Sequence, residues 1–448
     1  MKSKLIRIAV IVMAMLMLVS VVGCGTTTKG KDTVSIVFDN AAGDSQAQLE
    51  IQQKIKTMGE NITVLTAGAT DSLGCQVNEQ RYAQLCGGKV TWVSSEGYSE
   101  LQQKLASMHM SDEAPDIYPF SNQDYPSILY KGILAPLDDL IDLNNEVFAE
   151  DKIYIDGLRW DGQCYLLPNI GTSRDLFVNK QLLIDAGIPE SEWPDAQYKA
   201  GTWTWDSMFD IVKRVSDPDE GIYGFGTSHN LLYAFACSAG VDFVKLTEDG
   251  LVDNTKSPEI TRAMNMMKNV FANANYSPAL AGTGESGIEL FKRGKLCLYY
   301  DMLEQTSNEI LGEQLQNGDI FFAPFPRDPK VDKTYRMGDI AGVAIPAGSK
   351  HVNGAVAYLL APYCSDYYDE QIKKINVQHR NWDDATIDYY YEDLMKREAI
   401  LCFSLGIKEI QRMMWDATSA KNLAEKANWE TIANELGPKI QQELDMLG

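Results

Sequence analysis

The sequence predicts an α/β protein of two lobes, each a doubly wound sheet with helices on its faces, with a crevice where the lobes meet. Two observations predict it. From Asn61 onward, short runs rich in β-branched and aromatic residues alternate with helix-periodic segments across short loops, the pattern of parallel strands joined by helical crossovers. Within Trp160–Lys180 a strand, Cys164–Leu167, breaks at Pro168-Asn169 and Gly171-Thr172 and resumes at Leu176–Val178. A strand broken by Pro, Asn and Gly and then resumed can pass from one compact lobe into another. On spacing alone it reads equally as a hairpin inside one domain.

At the amino terminus, Lys2, Lys4 and Arg7 precede the apolar run Ile8–Val22, which leads to Gly23-Cys24. A basic start, a short apolar core and a small residue before the cut describe a secretory signal; the run is short for a bilayer-spanning helix. Val21-Val22-Gly23-Cys24 resembles the lipobox of bacterial lipoproteins. That implies removal of residues 1–23, a lipid on Cys24, and a place on the outer face of the cytoplasmic membrane. Two acyl chains anchor a protein stably where one is marginal.

Lys and Arg number 40 against 62 Asp and Glu, a net charge of −22, and loss of Lys2, Lys4 and Arg7 with the signal makes it −25. So acidic a chain without a basic cluster is not a nucleic-acid binder. Seven cysteines follow Cys24: Cys75, Cys86, Cys164, Cys237, Cys297, Cys364 and Cys402. An odd count in an exported chain leaves at least one thiol free. Most lie in apolar runs and read as small buried hydrophobes, with Cys75 and Cys86 the only close pair. No Cys/His spacing suggests structural zinc, and no cofactor is expected.

In order, residues 24–58 read as the lipidated cysteine, a tether and an extra segment holding a strand-like run, Val34–Phe38, and a polar helix-like run, Gln46–Lys56. Strands follow at Asn61–Leu65, Val90–Val93 and Pro115–Tyr118. Tyr98, Leu101, Leu105 and Met108 have helical spacing between the last two. Further helices are expected over Ser207–Val215, Leu231–Gly240 and Ile260–Phe271, with a strand at Gly221–Gly226.

DGQCYLLPNIGTSRDLFVNKQLLIDAGI resembles the first lobe crossing of extracellular solute-binding proteins of family 1, the binding subunits of sugar-type ABC importers. There a D-G-K-x-Y-x-x-P run leads to Y-N-K and a helix ending in A-G. APDIYPFSNQDYPSILYKGILAPLDDLI, Trp203–Asp206, GIELFKRGKLCLYY, IFFAPFP and IQRMMW resemble later family motifs in the same order. Two departures stand out: Phe177-Val178 replaces an aromatic pair, and Asp301-Met302-Leu303-Glu304 stands where many relatives carry a sugar-stacking G-x-W.

The resemblance implies the type II periplasmic-binding-protein-like fold, with the ligand cleft at the hinge. The expected division is 59–169 plus about 297–346 for lobe 1, and 170–296 plus about 347–448 for lobe 2. It also implies an importer subunit that captures a carbohydrate, closes by hinge motion and docks on permease subunits, working as a monomer. Its ligand loop maps onto Phe120, Gln123 and Asp124, with Asn122 between them. Asp124 also reads as a helix N-cap before Tyr125-Pro126. The other expected contacts are Asp71, Asn169, Thr172, Arg174, His229, Asn230, Tyr300, Asp301, Glu304, Asp339 and two tryptophans. Trp415 is placed to stack on ligand, and Trp382 lines the cleft or packs in its loop. Trp205 reads as a packing residue. Physical chemistry agrees: loops at the carboxyl ends of parallel strands line the crevice, amides and carboxylates pair with hydroxyls, and aromatic faces cover sugar C–H faces.

Two other classes remain open. A glycoside hydrolase needs two carboxylates across a cleft, which 62 acidic residues always allow, but no G-x-S-x-G or H-E-x-x-H is present. A binder of ferric iron would use tyrosines such as Tyr299-Tyr300 or Tyr389–Tyr391; a polyamine or other small solute is the remaining non-sugar reading.

Overall fold

The computed structural model describes residues 44–169, 174–227, 231–248, 250–272, 285–303, 312–365, 382–418 and 428–447, all inside one compact unit, Phe38–Gly448. Residues 1–23, expected as a signal peptide, Cys24 and the run Val34–Phe38 lie outside the described residues.

Thirteen strands are described: β1 (Asn61–Ala67), β2 (Lys89–Ser95), β3 (Tyr118–Phe120), β4 (Leu166–Pro168), β5 (Arg174–Asn179), β6 (Tyr223–Thr227), β7 (Val244–Thr247), β8 (Gly250–Asp253), β9 (Leu296–Met302), β10 (Ile320–Ala323), β11 (Arg336–Gly338), β12 (Gly342–Ala344) and β13 (Ala399–Leu401). β1 pairs with β2 in parallel over seven residues and meets the stretch before β3 through a parallel bridge, Val64 to Ile117. That stretch continues into the ordered set β3-β12-β4. The other large sheet runs β10-β5-β9-β6. β7 and β8 form a hairpin, and β11 pairs with β13 in parallel.

The sheets are mixed, not wholly parallel as expected, and the reversed strands have a physical cause. In the second sheet β6 and β9 are parallel, β10 shares their direction, and β5 alone runs against them. In the first, β12 alone is antiparallel, to both β3 and β4. β5 is the first strand after the break at Pro168, and β12 follows β11 after three residues. A chain that leaves one sheet at its carboxyl end and enters a facing sheet must enter at that sheet's carboxyl end, and so runs backwards there. β5 and β12 are the two crossing strands.

The pairing also corrects the expected division. β9 and β10 fall in the second sheet although 297–346 was assigned to lobe 1; of that segment, only β12 joins the first sheet. The helix Val352–Leu360, expected in lobe 2, packs on β1 and on the helix Leu73–Cys86. Its close approach needs Gly354, because a Cβ there would press on Ile62 and Tyr82. The helix-like run expected over Gln46–Lys56 is a helix, Gln46–Ile55. Ser45 and Gln48 close a capping box at its start, Ile51 and Ile55 are buried, and Gln52 Nε2 donates to the Cys364 carbonyl at 2.6 Å.

Helix boundaries follow local chemistry. Asn179, the last residue of β5, caps Lys180–Asp185 by accepting from Leu182 N at 3.2 Å. Thr204 and Ser207 form a capping box for Trp205–Val215. Trp205 packs edge-on to Phe235 at 5.7 Å and donates to Ser238 Oγ at 3.0 Å, the packing role expected of it. Leu231–Ser238 is buried on every side, as its unbroken apolar sequence demands. All seven described cysteines are free and buried.

Candidate ligand cleft at the strand crossings

The carboxyl ends of both large sheets converge. Ala67, Ser95, Phe120 and Pro168 end the forward strands of one, and Thr227, Met302 and Ala323 those of the other. Between them runs the crossing 339–341, and Asn169, the last described residue of the other crossing before β5, is tied to it: Asn169 N donates to Ala341 O at 2.8 Å. Arg174 Nη1, at the start of β5, reaches Asp339 Oδ2 on the second crossing at 2.9 Å. Burial works against the Arg174 charge, but the surrounding groups, led by the Asp339 carboxylate, together hold the guanidinium above its ordinary value. The loop after β3 is tied to the same place, because Asn122 Oδ1 accepts from Ile340 N.

Gln123 is exposed, and its carbonyl accepts from Gln102 Nε2 at 2.6 Å. Asp124 is 1% exposed and its carboxylate is occupied from within. It accepts from Tyr118 Oη at 2.7 Å, Ser121 N at 2.6 Å, Ser121 Oγ at 3.0 Å and Gln102 Nε2 at 2.9 Å. Burial raises its pKa and these bonds oppose the rise. Asp124 braces this loop from within; it does not cap a helix, because the helix that follows, Ser127–Tyr130, has Pro126 at its N-cap and no side-chain cap bond. Phe120 is also buried, edge-on to Tyr125 at 6.4 Å.

Other expected contacts are turned inward. Tyr300 is 1% exposed and packs on Phe325 at 5.1 Å. Asp301 is buried, accepting from Tyr299 Oη and from Met302 N at 2.8 Å. Trp382 is buried against Tyr390 at 5.1 Å, the packed-loop alternative. Asp71 and Asn169 are exposed, and Asp71 O accepts from Gln76 Nε2 at 2.9 Å. Trp415 stands 53% exposed on the helix Lys408–Ala417. Thr172, His229, Asn230 and Glu304 lie outside the described residues.

The sequence reading missed the segment Phe403–Gly406. Phe403 packs on Tyr125 at 5.2 Å, and a Cβ on Gly406 would press into the carbonyl oxygens of Asn122 and Tyr125. This segment follows β13 and seals directly against the loop after β3. Asp242 fixes it, accepting from Ser404 N at 2.9 Å and Ser404 Oγ at 2.6 Å; burial pushes the Asp242 carboxyl up to about 6. Beside it opens a groove of about 1540 Å³ whose lining includes Tyr130, Trp160, Tyr165, Lys245 and Phe403. None of the sequence-named contacts among the described residues lines that groove. The signal for the seal was the single Gly406 in an apolar run, which spacing alone cannot distinguish from a helix boundary.

The sequence profile of the family described as bacterial extracellular solute-binding protein matches residues 80–377. The chain belongs to that family. Members work outside the cytoplasm as substrate-binding proteins. Among curated proteins the chain resembles the diacetylchitobiose binding protein DasA of Streptomyces coelicolor, 26% identical over 286 residues. The match covers 62% of this chain and spans 63% of that relative's length. Among solved structures it resembles the sugar-binding protein MalE of Xanthomonas citri, with a TM-score of 0.67 and 15% identity over 86% of this chain and 98% of that one. It also resembles the extracellular solute-binding protein of Staphylococcus aureus in complex with maltose, with a TM-score of 0.66 and 16% identity over the same shares. These likenesses show the fold of this solute-binding protein: two lobes, type II, with a cleft at the crossings.

Proposed function

We propose that this solute-binding protein is the carbohydrate-capturing subunit of an ABC importer, holding its ligand between the lobes and presenting the closed form to the permease. The observation that carries the reading is the convergence of both sets of carboxyl ends on the crossings, with Gln123 exposed on the loop that Asn122 ties to Ile340; Trp415 is exposed on the helix Lys408–Ala417. A side-chain amide and a flat aromatic face are the groups a saccharide needs. DasA, named for diacetylchitobiose, makes N-acetylated disaccharides the first class to test. The buried state of Tyr300 and the departure at 301–304 argue against copying a maltose-type site. Anchoring through Cys24 is part of the proposal, as is a binding role without catalysis. Ferric iron is disfavoured because Tyr299 and Tyr389 are spent on Asp301 and Asp175 inside the core.

A thermal-shift screen of the purified protein against N-acetylated disaccharides, maltodextrins, polyamines and metal ions tests it, since a ligand bound only by the native state raises the melting temperature. A rise with one sugar class, and recovery of that sugar intact, supports the reading; a rise with polyamine or metal alone rejects it. A second reading places the sugar in the 1540 Å³ groove, favoured by its aromatic lining. Loss of binding in Trp160→Ala with Trp415→Ala unaffected selects the groove.

A further inference from the structure

A separate cavity of about 890 Å³ lies beside the crossings, lined by the end of β4, by Arg336 of β11 and by Val343 of β12. Its lining holds three cationic side chains, Arg81, Arg336 and Lys396, against two carboxylates, Glu150 and Asp151. That balance is unusual in a chain of charge −22. Arg336 is 4% exposed. Its Nε donates to the Arg397 carbonyl at 3.0 Å, and its Nη1 has no hydrogen-bond partner among the described residues. The nearby Asp175 carboxylate acts on it only from a distance, because its bonds go to Arg397 and to Tyr389 Oη. Asp151 accepts from Tyr363 Oη at 2.8 Å, Arg81 donates to Asn78 Oδ1, and Lys396 is paired with Glu392.

A buried guanidinium keeps its charge, and a buried charge without a counter-ion is costly. Burial lowers the Arg336 pKa, and the Arg397 cation adds to the effect. Of the two carboxylates in the lining, Asp151 is engaged by Tyr363, and neither meets the free Nη1 of Arg336 among the described residues. An oxyanion supplies an acceptor and a negative charge, since its paired oxygens match the planar fork of an arginine.

We propose that this cavity is an anion site, in which Arg336 with Arg81 holds a small oxyanion, a carboxylate or a phosphate. It is distinct from the sugar cleft in chemistry and does not depend on which sugar the cleft takes. The site draws its lining from the first sheet and from β11, so its occupant would bridge elements on both sides of the crossings.

The test is calorimetric and thermal-shift titration of the purified protein with sodium phosphate and, separately, sodium acetate, at ionic strength held constant with sodium chloride. A saturable response to either anion is expected, and which one responds tells phosphate from carboxylate. Arg336→Gln should weaken it at least tenfold while leaving the thermal response to sugar in place. A response that fails to saturate, is absent with both anions, or is unchanged in Arg336→Gln overturns the proposal. Should Arg336→Gln not fold, Arg81→Gln replaces it with the same expectation, and the unsubstituted protein's titration remains decisive.

Discussion

Replacing Asp124 by alanine separates bracing from binding. The carboxylate receives four donors, and alanine strands them. Gln102 is on a part-exposed helix and can turn to water. Tyr118 is 0% exposed, so its hydroxyl has no such escape, and the Ser121 N–H is held in the turn. A buried polar group left unpaired costs about 1–3 kcal/mol. Two such groups, with the charge-assisted bonds lost beside them, put Asp124→Ala at about 3–5 kcal/mol of stability. Asp124→Asn keeps one acceptor oxygen and should lose about 1–3 kcal/mol. Gln123→Ala, one residue earlier and exposed, should change stability by no more than about 0.5 kcal/mol and weaken sugar binding by about 1–3 kcal/mol. Urea unfolding at pH 7 with linear extrapolation gives the stabilities, and isothermal titration gives the affinities. If Asp124→Ala unfolds within about 1 kcal/mol of the parent yet loses its sugar, the carboxylate is a ligand group and the bracing argument is wrong.

Asp242 gives a pH dependence of unusual sign. Its carboxyl is raised to about 6 in the fold, so the native state holds a proton that the unfolded chain releases near pH 4; the parent should lose up to about 3 kcal/mol relative to Asp242→Asn as pH rises from 4 through 6. Parallel stability curves for the two proteins over that range would discard the assignment. The two tryptophans should split: Trp415→Ala lowers affinity by about 1–2 kcal/mol with little change in melting temperature, whereas Trp382→Ala costs about 3–5 kcal/mol of stability. Equal melting points for both would contradict the burial difference between them. Thiol titration should find almost no reactive cysteine in the native protein and all seven described thiols after denaturation. A count of five would mean that Cys237 and Cys402, whose sulfurs lie 3.4 Å apart, have joined.

Much of the fold was legible because local chemistry and tertiary structure agree. Gly87, in left-handed conformation after Leu73–Cys86, and Asn179 at the head of its helix ended and began elements where their residue types require. The break at Pro168-Asn169 marked a true crossing, although spacing could not separate it from a hairpin. Sheet membership was not legible. β9 and β10 read as strands from their apolar runs, but nothing in a run of Leu, Phe and Tyr says which of two sheets will receive it. That choice rests on contacts with β5, more than a hundred residues away in sequence.

The same limit explains the candidate site. Residue type pointed to Asp124, Tyr300, Asp301 and Trp382 because carboxylates and aromatic rings are what a sugar needs, yet types carry no direction. In a strand exposed on one face, alternation would have told inward from outward positions. β9 is covered on both faces, and six of its seven residues are buried in succession, so Tyr299 and Tyr300 point opposite ways and are both enclosed. What distinguishes Gln123 and Trp415 is the absence of any such cover. The loop after β3 spends its strong acceptor, Asp124, on rigidity and leaves the neighbouring amide exposed. For the neutral ligand proposed above that arrangement suits a closing cleft, because a charge held inside the loop fixes its shape without facing the ligand, and the exposed amide can both donate and accept.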